Sequence, residues 1–170
     1  MGAMTELPEL PARNILVAVD GTPEAWDAVA LAVQIARSTH GRLTLLTVVV
    51  PAPAWTQVGL FAPPPDDTAE RAAERHLREL ADAIPPEIPV TTQLLRGDAA
   101  HEIAARAEQG CHDLVVLAAH ERGPIAAAVE SVSRRLLKVS RVPVLAIRLP
   151  RAWQGAPETA SGDGERPAEP

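Results

Sequence analysis

The chain has 170 residues, enough for one domain with a sizeable core, and a formal charge of −6. No basic stripe is present, which excludes nucleic acid and anionic membrane surfaces as expected partners, and a single cysteine excludes an internal disulfide framework. With no signal peptide and no apolar run of about 18 residues, a cytoplasmic protein without membrane attachment is expected.

Met1-Gly2-Ala3-Met4 reads as a cloning scar before a natural start at Met4, within an N-terminal extension over 1–13. Ile15-Leu16-Val17-Ala18-Val19 then predicts a strand buried on both faces, and Asp20-Gly21-Thr22-Pro23 predicts a turn into a helix. Thr22 suits the N-cap and Pro23 the first helical position. In open α/β sheets ligands bind at the carboxyl edge, so Asp20 is expected on the floor of any site. Two roles are open to it, a ligand-binding carboxylate or a turn-capping one.

The spacing of Trp26, Val29, Ala30, Val33 and Ala36 predicts one apolar helix face, ended at His40-Gly41 with glycine in the left-handed position. Arg42–Val50 reads as a second strand. Pro51–Asp67, with Pro63-Pro64-Pro65, is a long loop whose Trp55 and Phe61 either tuck onto the core edge or form a lid or dimer contact. Asp67–Ile84 is a helix with the stripe Ala69, Ala73, Leu77, Leu80 and Ile84. Ile88–Leu95 partly alternates and predicts a strand nearer an edge, while Asp98 caps a helix over Ala99–Gln109 that Gly110 terminates. Asp113–Ala118 is a further buried strand. A loop over Ala119–Pro124, a helix over Ile125–Ser140 and a strand over Pro143–Leu149 follow. The tail from Pro150 to Pro170 has no apolar period and is expected to be disordered. Strands alternating with helices predict a parallel sheet covered on both faces.

None of the five histidines shows paired i, i+4 ligand spacing, so no metal site is expected, and Cys111 has no resolving partner. No nucleophile turn with a Ser-His-Asp set and no Walker lysine is visible, so no catalytic residues are assigned.

Several stretches together resemble the universal stress protein family over Asn14–Leu149. They are Ile15-Leu-Val-Ala-Val-Asp-Gly-Thr, Arg96-Gly97-Asp98-Ala99-Ala100, Asp113-Leu114-Val115-Val116-Leu117, and Ser131-Val132-Ser133 leading to Arg141-Val142-Pro143-Val144-Leu145. The resemblance implies an α/β fold with an open five-stranded parallel sheet of order 3-2-1-4-5 and helices on both faces. It also implies a homodimer through the last strand, Val144–Ile147. One branch of the family binds ATP through a Gly-x-x-Gly-x9-Gly-Ser/Thr motif, whose glycines let backbone N–H groups approach phosphate oxygens. Here Ala118, Glu121 and Glu130 stand at the three glycine positions. Two carboxylates beside a triphosphate would repel it.

The other half of that site is kept. Asp20 matches the aspartate on the ribose and adenine side, Val48 the position that receives adenine, and Ser131 and Val132 the phosphate-side positions. Gly21 and Thr22 complete the turn beside Asp20. Ala118, His120 and Gly123 belong to the run after the fourth strand, where Gly123 offers a different cradle. The expectation is a homodimeric stress-response binding protein without tight ATP binding and without turnover, acting on a partner protein or small metabolite. The alternative is a protein that binds ATP, AMP or another adenine nucleotide, with magnesium, through a non-standard phosphate loop.

Overall fold

The computed structural model describes residues 12–50, 68–118 and 124–148, with side chains in the last stretch from Val132 onward. Five strands and four helices alternate: β1 (Asn14–Ala18), α1 (Ala25–Thr39), β2 (Arg42–Val49), α2 (Thr68–Asp82), β3 (Val90–Arg96), α3 (Ala99–Gln109), β4 (Leu114–Ala118), α4 (Pro124–Val139) and β5 (Val144–Ile147). The strands form one parallel sheet of order β3-β2-β1-β4-β5, as expected. The loop over 51–67, the N-terminal extension to residue 11 and the tail expected from Pro150 lie outside the described residues.

β1 sits in the middle of the sheet because its side chains are apolar on both faces. Ile15 and Val17 join Leu43, Leu45, Leu77 and Leu80 on the side covered by α1 and α2. Leu16 points the other way, onto Ile103 and Leu136 of α3 and α4. The period of two in a strand thus divides one apolar run between two cores. β3 and β5 are edge strands, consistent with the weaker apolar pattern of the third.

Several local expectations are corrected. Helix α1 starts later than Pro23: Glu24 holds the N-cap position, and its side chain makes no capping bond. Thr22 is not the cap because its hydroxyl donates to Asp20 Oδ1 at 2.6 Å. A 3₁₀-like turn, with Ala25 N donating to Thr22 O and Trp26 N to Pro23 O, leads into the helix instead. The buried face of α1 is Ala25, Ala28, Val29, Ala32 and Ala36, which leaves Trp26 41% exposed and Ala30 on the surface. Small residues are selected on that face because the helix packs closely on the sheet.

The left-handed residue that ends α1 is His40, at φ 54°, while Gly41 lies beside it and donates its N–H to Ala36 O. Glycine is needed at 41 for space, since an added Cβ would stand 2.9 Å from the Arg13 carbonyl oxygen. At the end of α3 the left-handed residue is likewise not a glycine: Cys111 takes φ 50°, directly after the C-cap Gly110. β3 begins at Val90 rather than Ile88, because Ile88 N closes a turn onto Pro85 O.

Polar ties fix the helices against one another. Asp98 caps α3, accepting from His101 N at 3.1 Å, and also receives both terminal nitrogens of Arg135 from α4 at 2.7 and 2.8 Å. The Arg135 guanidinium, with the His101 amide, holds the Asp98 carboxyl below its usual range. Glu70 of α2 pairs with Arg96 at the end of β3. At the amino edge His112 is buried, its Nε2 3.1 Å from Thr44 Oγ1, and burial pushes its pKa down by disfavouring the charged ring.

Candidate functional site

The carboxyl edge of the sheet, where β1 and β4 lie side by side and their following helices leave on opposite faces, is the switch point of this topology. A cavity of about 140 Å³ opens there. It is lined by Ala18 at the end of β1, by Val19 and Asp20 after it, by Leu46, Thr47 and Val48 of β2, and by Ala99, Ile103, Leu117 and Ala118. The lining is mostly apolar with one carboxylate, Asp20, a composition that suits a flat heterocycle with a polar attachment.

The turn that presents Asp20 is built locally. Asp20 Oδ1 accepts from the Thr22 backbone N at 3.2 Å and from its hydroxyl at 2.6 Å, an Asx-type turn. Gly21 has φ +78° with open space around it, so this glycine is required by conformation alone. Thr47 Oγ1 donates to Val19 O at 3.1 Å, and Val19 N donates to Leu46 O at 2.9 Å, extending the β1–β2 pairing to the mouth of the cavity. Asp20 therefore caps its turn and also lines the cavity.

Of the residues singled out in the sequence, Asp20, Val48 and Ala118 meet in this one cavity. Gly21 and Thr22 form the adjoining turn. Val132 is on α4, half-buried against the core shared with α3, and Ser131 precedes it on the same helix. His120 and Gly123 lie outside the described residues, as does Glu121 of the loop.

A second pocket of about 240 Å³ shares Asp20 and Thr47 with the first and is completed by Gly21, Ala69, Ala72, Ala73 and His76. Sequence reasoning did not single out His76, although it stands three residues after Ala73 on the apolar stripe of α2. A polar residue on a buried helix face was the available signal. At the opposite edge of the sheet a wider cleft of about 730 Å³ is lined by Arg13, Arg37, Arg42, His40 and Cys111. Its charges serve structure: Arg37 pairs with Glu87 at 3.1 Å, and Arg42 Nε donates to Asn14 Oδ1. Among the described residues no group of three or more His, Cys, Asp or Glu could hold a metal, and no helix is long and apolar enough to cross a membrane.

A parallel sheet of order β3-β2-β1-β4-β5 with helices on both faces and a niche at its switch point defines a doubly wound α/β domain. The model of the universal stress protein family matches residues 11–148, and the chain belongs to that family. A universal stress protein from Lactobacillus plantarum is 29% identical with a TM-score of 0.58, covering 81% of this chain and 98% of its own. A universal stress protein in complex with cAMP is 19% identical with a TM-score of 0.62, covering 80% of this chain and 97% of its own. One from Archaeoglobus fulgidus in complex with dAMP is 19% identical with a TM-score of 0.62, covering 79% of this chain and 97% of its own. No curated protein matches the sequence.

Proposed function

We propose that this chain is a stress-response binding protein that takes the nucleoside half of an adenine nucleotide at the carboxyl edge, holds a triphosphate no better than a monophosphate, and acts by binding rather than turnover. The observation that carries the reading is the meeting of Asp20, Val48 and Ala118 in one mostly apolar cavity at the switch point. Structural neighbours in complex with cAMP and dAMP support a nucleotide of one phosphate group. The sequence supports the limit on phosphate binding, with Ala118, Glu121 and Glu130 where the ATP-binding branch has glycines.

Calorimetric and thermal-shift titrations with AMP, ADP and ATP, with and without magnesium, test this once co-purifying nucleotide is removed. AMP is expected to stabilise the fold, by about 2.7 kcal/mol at one hundred times its dissociation constant. ATP is expected to bind no tighter than AMP, and Asp20→Ala to weaken AMP about tenfold or more. No stabilisation by any of the three at millimolar concentration would sink the reading, and an ATP affinity far above that of AMP would restore an intact phosphate site.

Dimerisation through β5 is part of the same proposal. β5 is an edge strand with Leu145 and Ala146 exposed, and α4 before it exposes Leu137 and Val139. An apolar edge of this kind invites pairing with its twin. Sedimentation at micromolar concentration is expected to show a dimer that Leu145→Glu converts to a folded monomer. A monomeric wild-type chain would remove this part.

A further inference from the structure

We propose that His76 is a ligand-contacting residue, its Nε2 accepting a hydrogen bond from a donor on the bound nucleoside, an adenine amino group or a ribose hydroxyl. The inference rests on the nucleotide reading above and extends that site from the sheet edge to helix α2. Its starting point is an unbalanced polar atom. The His76 side chain is 17% exposed, and its Nε2 is buried with no hydrogen-bond partner among the described residues. Buried nitrogens in that state are uncommon in folded proteins, and a polar ligand group is one means of satisfying them.

The ring is held in place. The Trp26 indole meets it edge-on, at 6.5 Å between centroids and 88° between planes. Its Nδ1 lies 3.9 Å from Glu79 Oε2. In the neutral imidazole a carboxylate near Nδ1 favours the tautomer with its proton there, which leaves a lone pair on Nε2. The pocket that His76 lines is lined also by Asp20, whose carboxylate is an acceptor, and by the small side chains of Ala69, Ala72 and Ala73. Two acceptors around a space of about 240 Å³ select a donor-bearing group. Because Asp20 and Thr47 line this pocket and the first cavity alike, one nucleoside can reach both.

Calorimetry with AMP on the wild type, His76→Phe and His76→Gln, together with ¹⁵N spectra of the His76 imidazole, tests the assignment. His76→Phe keeps an aromatic ring but removes the acceptor, and is expected to weaken AMP about tenfold. His76→Gln, whose side-chain oxygen can replace Nε2 as acceptor, is expected to recover most of that loss. The Nε2 resonance is expected to shift on adding AMP. Repeating the series with 2′-deoxy-AMP, 3′-deoxy-AMP and the purine nucleotide lacking the 6-amino group identifies the donor. For the analogue without it, wild type and His76→Phe should bind alike. Wild-type binding that is unchanged in His76→Phe overturns this assignment alone, as does an equal loss for every analogue that His76→Gln fails to recover. A wild type that binds no nucleotide overturns the reading of the cleft and this assignment with it.

Discussion

Asn14→Asp is expected to destabilise the fold by about 3 kcal/mol or more, although the substitution preserves the shape of the side chain. Asn14 is buried at the start of β1, and its Nδ2 donates to Gly110 O at 2.9 Å and to Cys111 O at 3.0 Å. Its Oδ1 accepts from Arg42 Nε at 3.1 Å. One amide thus ties the end of α3 to β1 and to the first residue of β2. Aspartate removes both donors and turns carboxylate charge toward two carbonyl oxygens, with the Arg42 guanidinium offsetting part of this. Asn14→Ala lacks the repulsion and is expected to cost less, about 2 kcal/mol. Urea unfolding of the two variants beside the wild type measures the difference. If aspartate costs no more than alanine, the paired carbonyls are not what this side chain holds.

The sheet and the position of the site were legible because both follow from apolar runs. Val17 and Leu16 are adjacent in sequence and opposite in space, and a short β-branched apolar run that stops at a Gly-Thr-Pro turn reads as a strand covered on both sides. Asp20 follows from the same run, since it stands where the strand must end. What was not legible depends on which of two similar neighbours takes a role. Thr22 and Glu24 both suit the start of a helix, and the structure spends the Thr22 hydroxyl on Asp20. Trp26 fits the helical spacing, yet close packing of α1 selects the alanines and turns the indole out toward His76. His76 itself was masked by its neighbours, because alanines and leucines on one stripe read as core whatever lies between them. It meets Asp20 in the pocket that α2 forms with the ends of β1 and β2, a contact between segments far apart in the chain.

The glycines carry the same lesson, and Gly110 gives it a measurable form. Read from sequence, α3 ends at Gly110, and the helix does end there, yet the Gly110 φ is −83° and the left-handed residue is Cys111. Conformation therefore places no demand for glycine at 110. Space does: an added Cβ would lie 2.3 Å from His112 Cε1, 2.6 Å from His112 Nδ1 and 3.1 Å from Arg106 O. The ring has little room to give way, since it is buried and its Nε2 is engaged with Thr44 Oγ1. Gly110→Ala is accordingly expected to cost about 2–3 kcal/mol by overpacking, against the small gain that Gly-to-Ala brings where the backbone tolerates it. The origin can be isolated by a double-mutant cycle with His112→Ala, which removes the ring that the new methyl meets. The cost of Gly110→Ala should then fall by about 1 kcal/mol or more in the His112→Ala background. Costs that simply add would place the strain in the Arg106–Cys111 backbone, and glycine at 110 would be needed for the turn after all.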